Sequence, residues 1–486
     1  MTRGRLRRWL GTPFRVIPWY VWMVILATAA WFGRRILLIV ATVLAFHPIP
    51  IPPLLQPRPE SALEARMQDL RHFEHVPRNE RSMTPEMRAR FDRRIADIRS
   101  RAATMTDAEF MLGLARAQAE IDNAHSNGNV ASMVERFPHL PVRAAFLGDD
   151  LRILRAARGY EDLLGSRITH IGGQPVGEVT RRFRDAFGGN DASFRVVAPL
   201  LLETPAYLNA VGIPGDPIEV QLERIGEAPK VRLLEAFTPS ADARWVTPGA
   251  LPLHWRRDTA TVWTSLRPSG DPLYLQLPDR GYWRRPLPDQ NAVYINLRTN
   301  IDDDTGVSLK AFVAETVADL RRHRPAAVIV DLRFNPGGDY SLTHPLMSAL
   351  GDIVGPNGRI YLLSSNNTFS AAIVSMAFAK QGAPDRTVIV GEEIGDRTAF
   401  WAEGWRYKLP NSGFGARYST AFYDLTNGCT GLFRCYWGAF FLMPVIVDDL
   451  DVDIPAPLTF ADYVAGRDPA LEAIEQAEAV RRGRIP

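Results

Sequence analysis

The sequence predicts an α/β fold, a mainly parallel sheet with helices on both faces, preceded by smaller modules and a long apolar segment near the N-terminus. Three observations predict it. The last third alternates between short β-branched runs and helix-length amphipathic runs, as βαβ crossovers do. The middle carries alternating runs around Gly-containing turns, the pattern of a β-rich module. At 486 residues the chain exceeds one compact core, so two or three domains are expected.

Residues 1–55 read as a membrane anchor and proline-rich tether. "MTRGRLRRWLGTPFR" holds Arg3, Arg5, Arg7, Arg8 and Arg15, and "VIPWYVWMVILATAAWFG" approaches a bilayer's thickness in apolar length. Arg34 and Arg35 interrupt it before "ILLIVATVLAF", and "HPIPIPPLLQPRP" cannot continue a helix. Two arrangements fit: a single signal-anchor helix within Ile17 to Phe46 with the arginines inside, or a hairpin of two short segments. A cleaved signal peptide is the weaker reading, because no A-x-A site follows the second run.

Residues 56–145 read as a small helical domain, with apolar residues three and four apart in "ALEARMQDLRHFEHV" and "FMLGLARAQAEI". His72 and His75 share a helix face there, and without a third ligand they read as a solvated face rather than a metal site. Residues 146–236 read as the β-rich module, in which "IEVQLERIG" and "KVRLLEA" suit a hairpin. Residues 237–290, rich in Pro and Trp without period, read as an irregular linker, and residues 291–486 as the sheet-forming core. The strands of that core are "AVYINL", "AAVIVDLR", "IYLLSS" and "TVIVGEE"; its helices are "LKAFVAETVADLRRH", "SLTHPLMSALG" and "SAAIVSMAFAKQG".

The net charge of +3 is small and the basic residues form no stripe with aromatics, which argues against nucleic acid as a partner. Cys429 and Cys435, the two cysteines, stand close together in "NGCTGLFRCYW". That suits a local disulfide in an oxidising compartment better than a zinc site, the alternative being two unrelated buried thiols. Anchor and disulfide together point outside the cytoplasm.

Chemistry gathers where strands feed helices, because open α/β sheets build sites beyond the carboxyl ends of their strands. Ser370, in "NNTFSAAIVSMAFAKQG", stands between "IYLLSS" and a helix, where the first-turn N–H groups and the helix dipole would stabilise an oxyanion. A serine at that place is also an ordinary helix cap. In "DLRFNPGGD", Gly337 and Gly338 allow the backbone to approach a bound group and aim N–H donors at it, or make a tight turn and nothing more.

"VIVDLRFNPGGD", "IYLLSSNNTFSAA", "TVIVGEEIGDRT" and "YKLPNSGFGARYST", in this order and spacing, resemble the tail-specific (C-terminal processing) serine protease family. The resemblance runs from about Ala292 to the end and, more weakly, through a PDZ-like "LLGSRITHIGGQPVGEV" upstream. It implies Ser370 as nucleophile, Ala371 with Gly337 or Gly338 as oxyanion hole, and a PDZ-like domain over Phe146 to Ala236. The processing enzymes use a lysine base where this chain has Arg397, and arginine cannot give up its proton. The tricorn-like branch uses a histidine ahead of the PDZ-like module, which puts His125, in "AEIDNAHSNGNV", in a similar setting. His344 is the rival base, and Glu393, Asp448 and Asp449 are candidates to orient the imidazole, with Glu393 preferred at a strand end.

The expectation is therefore a membrane-anchored, extracytoplasmic serine peptidase, on the periplasmic side of a bacterial inner membrane, acting on peptide or protein without metal or organic cofactor. The alternatives are a binding protein on the same fold, its apolar pocket lined by "AFWAEGWRY", and an inactive scaffold whose PDZ-like module binds protein tails.

Overall fold

The computed structural model describes residues 19–46, 57–238 and 263–483. The arginine cluster at 3–15, most of the proline-rich tether and most of the first half of the linker lie outside these residues.

The core is a six-stranded sheet in the spatial order Ile454–Pro455, Thr387–Gly391, Arg359–Ser364, Ala327–Asp331, Ala292–Leu297 and Tyr282–Leu287. Neighbours pair in parallel except the last two, which pair antiparallel. The edge strand Tyr282–Leu287 falls in the stretch read from sequence as linker. Every residue of Ala327–Asp331 is buried, as expected of a central parallel strand covered on both faces.

Side chains alternate between the faces with period two. Val328, Val330, Ile360, Leu362 and Ile389 pack under the helices Leu309–His323, Tyr340–Met347 and Ala371–Gly382. Ala327, Ile329, Tyr361 and Leu363 face the C-terminal helix Pro469–Arg481 through Ala470 and Ile474. That helix is fastened to the core by charge: the buried Arg333 guanidinium donates to Asp331 and to Asp468, the residue that caps it.

Ahead of the core, the helices Ala62–Phe73, Pro85–Arg101 and Asp107–Ala119 begin at Ser61, Thr84 and Thr106, whose hydroxyls accept first-turn N–H groups. Their apolar faces, with Leu70, Phe91 and Met111, join Ile153, Ile168 and Val220 of a seven-stranded sheet in one apolar cluster. In that sheet Ile218–Glu223 and Lys230–Leu234 form the expected antiparallel hairpin. Trp263–Ser265, from the middle of the linker stretch, pairs with Asp150–Ala157.

Trp19–Phe46 form one continuous helix rather than a hairpin. Among the described residues, no helix is long and apolar enough to cross a membrane, so the expected spanning anchor finds no support in the fold. The C-terminal end of this helix instead docks on the core. Phe46 is fully buried with its ring edge-on to Tyr436 and Trp437, and its carbonyl accepts from the Thr420 hydroxyl.

Candidate active site

Three neighbouring strands of the sheet deliver the site from their carboxyl ends. Register places Asp331 beside Leu363 and Ser364 beside Gly391, so the loops that follow rise together. They carry Gly337 and Gly338, Ser370, and Asp396 respectively.

Ser370 precedes the helix Ala371–Gly382 with φ 54° and ψ −122°, a conformation costing a non-glycine residue about 1–3 kcal/mol. Its hydroxyl makes no cap hydrogen bond, so it does not perform the ordinary helix-capping task of a serine there. The turn is closed by backbone alone, with the N–H groups of Ala372 and Ile373 donating to Phe369 and Ser370 carbonyls. Among the described residues, the Ala371 N–H has no acceptor.

The glycine loop lies against this turn. A Cβ at Gly337, where φ is 104°, would stand 2.7 Å from Ser370 Cβ and 2.9 Å from the Ala371 nitrogen. A Cβ at Gly338, where φ is 137°, would stand 2.8 Å from the Asn300 carbonyl. The Gly337 N–H is engaged, donating to Asn335 Oδ1 at 2.9 Å, whereas the Gly338 N–H has no acceptor among the described residues. Of the two glycines left open by the sequence, Gly338 thus has the free donor to pair with Ala371.

A buried amide and hydroxyl network holds the loop. Asn335 Nδ2 donates to Asn300 Oδ1 at 2.7 Å, Asn300 Nδ2 donates to the Thr343 and Ser375 hydroxyls, and Ser375 donates to the Ala371 carbonyl. Sequence reasoning missed these residues. The signal available was Ser375, a polar side chain inside the apolar run "AAIVSMAFA"; Asn300, in the polar stretch "LRTNIDDD", gave none.

His125 reaches the same place from the N-terminal helical region, in the short 3-10 turn Ala124–Ser126. Its ring lies between Phe369, the residue before Ser370, at 4.4 Å between centroids, and Phe400 at 5.2 Å. Nδ1 lies 3.1 Å from Asp396 Oδ2, and Nε2 is buried with no hydrogen-bond partner among the described residues, so it is not bonded to the Ser370 hydroxyl. Burial holds the imidazole pKa below its usual 6.5, against the opposing pull of Asp396. A carboxylate at Nδ1 keeps the proton there and leaves the Nε2 lone pair available.

The turn carrying His125 is itself braced. The Ser126 hydroxyl donates to the buried Glu80 carboxylate at 2.7 Å, and Glu80 also accepts the Ser419 N–H at 2.8 Å. Arg397, exposed at the rim, forks onto Asp122 at 3.0 and 3.1 Å, three residues before His125.

Glu393, preferred from sequence as the orienting carboxylate, does not contact His125. It is exposed, two residues past the strand end at Gly391, and its side-chain partner is Asn190 at 3.5 Å; the chain has turned inward by Ile394 and buries Asp396, five residues past the strand end. Asp448 is exposed, and Asp449 pairs with Lys380 at 2.6 Å. His344 packs edge-on against Phe378, which lies eight residues beyond Ser370 and hence about 12 Å along the helix. Lys380 lies further along the same helix.

Cys429 and Cys435 are joined by a disulfide. "AFWAEGWRY" lies in two strand pairs: Ala399–Ala402 pairs with Ala421–Asp424 and Trp405–Lys408 with Gly415–Tyr418. Among the described residues, no group of three or more His, Cys, Asp or Glu is placed to hold a metal ion.

With this geometry in view, comparison with solved structures finds the same arrangement of elements elsewhere. The chain is similar in fold to mature CPAF. Against the complex of mature CPAF with lactacystin the TM-score is 0.55 at 12% identity, covering 86% of this chain and 98% of that one. Against mature CPAF alone it is 0.54 at 12% identity, covering 86% and 96%. A looser likeness, with TM-score 0.36 at 12% identity over 88% of this chain and 38% of the other, is to the tricorn protease. No family model matches the sequence, and no curated protein does. At such identity the likeness to CPAF establishes a shared fold.

Proposed function

We propose that this chain is a serine peptidase that hydrolyses peptide or protein substrates with Ser370 as nucleophile, His125 as general base and Asp396 as the group that orients it. The observation that carries the reading is the state of Ser370. It is held at a strained φ of 54° with its hydroxyl capping nothing, beside two N–H donors that have no acceptor among the described residues and next to Phe369, on which the buried His125 ring stacks with its Nε2 unpartnered there. A cap or a tight turn accounts for neither the strain nor the unused donors.

Each step follows from these placements. Ser370 Oγ attacks the substrate carbonyl carbon while His125 Nε2 takes the hydroxyl proton, and Asp396 beside Nδ1 stabilises the imidazolium that forms. The negative charge on the carbonyl oxygen falls between the N–H groups of Ala371 and Gly338, at the positive end of a twelve-residue helix. The imidazolium then returns its proton to the leaving amine, and water hydrolyses the acyl-enzyme by the same sequence in reverse. Proton transfer requires Nε2 and Oγ to close to hydrogen-bond distance when substrate occupies the site.

We also propose that residues 1–46 attach the protein to a membrane with the peptidase on the extracytoplasmic side. The arginine-rich start, the apolar length that follows and the Cys429–Cys435 disulfide support this. Labelling by a fluorophosphonate probe tests the catalytic assignment: the native protein takes the label at Ser370, and folded Ser370→Ala does not. Equal labelling of the two proteins would remove Ser370 from the mechanism.

A further inference from the structure

We propose that the disulfide loop Cys429–Cys435 and the adjoining segment through Ile446 form a lipid-contacting foot beside the helix Trp19–Phe46, seated on an anionic membrane surface. The inference rests on the membrane-attachment reading and adds a second contact on the peptidase core itself.

The loop tip is apolar where solvent would favour small polar residues. Phe433 is 78% exposed and Ile446 56%, and Leu432, Phe441 and Leu442 are exposed with them. A cluster of large apolar side chains left in water marks an interaction surface. The loop is also held in place: the disulfide closes it, and the Arg81 guanidinium ties it to the helix, donating to the Ala45 carbonyl at 2.7 Å and to the Phe433 carbonyl at 3.4 Å.

Because Phe46 is packed against Tyr436 and Trp437, the foot and the helix end belong to one surface. The helix continues that surface with exposed Leu37, Ile39, Val40 and Leu44.

Charge selects the occupant. Residues 1–59 contain eight arginines and no acidic residue, and residues 425–447 contain Arg434 and no acidic residue. Exposed apolar side chains on segments whose charged side chains are arginines alone match the boundary between acyl chains and anionic headgroups.

The full-length protein, reconstituted with phosphatidylethanolamine–phosphatidylglycerol vesicles, tests this by photo-crosslinking from p-benzoylphenylalanine placed at residue 433, at residue 37 of the helix, or at residue 225, an exposed hairpin position far along the chain. The expected result is lipid adducts from 433 and 37, each at least about tenfold above the yield from 225. Lipid adducts from 37 with none from 433 would overturn the foot and leave the attachment reading standing; no lipid adduct from either would overturn both. Protein–protein adducts from 433 in place of lipid would show that a second copy of the chain covers this face, and would also overturn the proposal. Phe433→Ser should label with fluorophosphonate as fast as the native protein, since the loop supplies no group to the site.

Discussion

Replacing Asp396 by asparagine isolates the orienting role from packing. The carboxylate is 3% exposed; its Oδ2 lies 3.1 Å from His125 Nδ1 and its Oδ1 accepts the Arg397 N–H at 2.8 Å. The asparagine side chain would fill the same volume and keep the bond from Arg397 through its carbonyl oxygen. Its other arm becomes an NH2 that donates to Nδ1, which drives the imidazole proton to Nε2 and removes the lone pair that must take the Ser370 proton. Loss of the base tautomer typically costs about four orders of magnitude, or about 5.5 kcal/mol of transition-state stabilisation. We expect Asp396→Asn to lower kcat/KM for a peptide substrate, and the rate of fluorophosphonate labelling, on that scale with an unchanged circular dichroism spectrum. Asp396 also raises the His125 pKa against burial, so residual activity in the variant should show its acid limb at lower pH than in the native protein. Glu393→Gln should keep nearly full activity. An Asp396→Asn protein within about tenfold of native, or a large loss in Glu393→Gln, would refute the assignment.

Other outcomes follow from the same geometry. Ser370→Ala should change stability by less than about 0.5 kcal/mol because the hydroxyl caps nothing, and Ser370→Gly should be no less stable than Ser370→Ala because it relieves the positive φ; a loss of about 1 kcal/mol in urea denaturation of the alanine variant would restore the capping reading. With the His125 pKa lowered by burial, the rising limb of kcat/KM should have its midpoint below pH 6.5, and a midpoint above it would contradict the buried imidazole. The unfolded chain binds that proton more readily than the folded one, so this histidine's contribution to stability is complete above pH 6.5 and is lost as pH falls from 6.5 towards the folded value, which equilibrium unfolding at successive pH values would follow. Arg333→Ala leaves the buried Asp331 and Asp468 carboxylates unpaired and should cost about 3–5 kcal/mol in urea denaturation, with less than about 1 kcal/mol contradicting the network.

How much of this was legible in the residues depended on whether the signal was local. The helix Leu309–His323 and the strand Ala292–Leu297 were readable to the residue, because hydrophobic period is a property of contiguous sequence. Ser370 was readable as a strand-to-helix residue for the same reason, and the Gly-Gly pair because glycine is the residue type that lets a backbone approach a bound group closely. Tyr282–Leu287 was not, since an edge strand pairing on one side carries a weaker pattern than a buried one, and its neighbour was needed to define it.

The sequence by itself determined the alternation that makes a parallel sheet, the two strand-end loops that come to carry Ser370 and the glycines, and the exclusion of Arg397 as a base by its chemistry. Only the tertiary structure decided which carboxylate meets His125. Glu393, Asp396, Asp448 and Asp449 are chemically alike, and Asp396 lies 271 positions from the histidine it holds. It likewise decided that the Ser370 hydroxyl caps nothing and that Gly338 rather than Gly337 has a free N–H. These are matters of angle and of where one bond is already spent, which periodicity and residue type do not encode because they arise when distant segments close on one another.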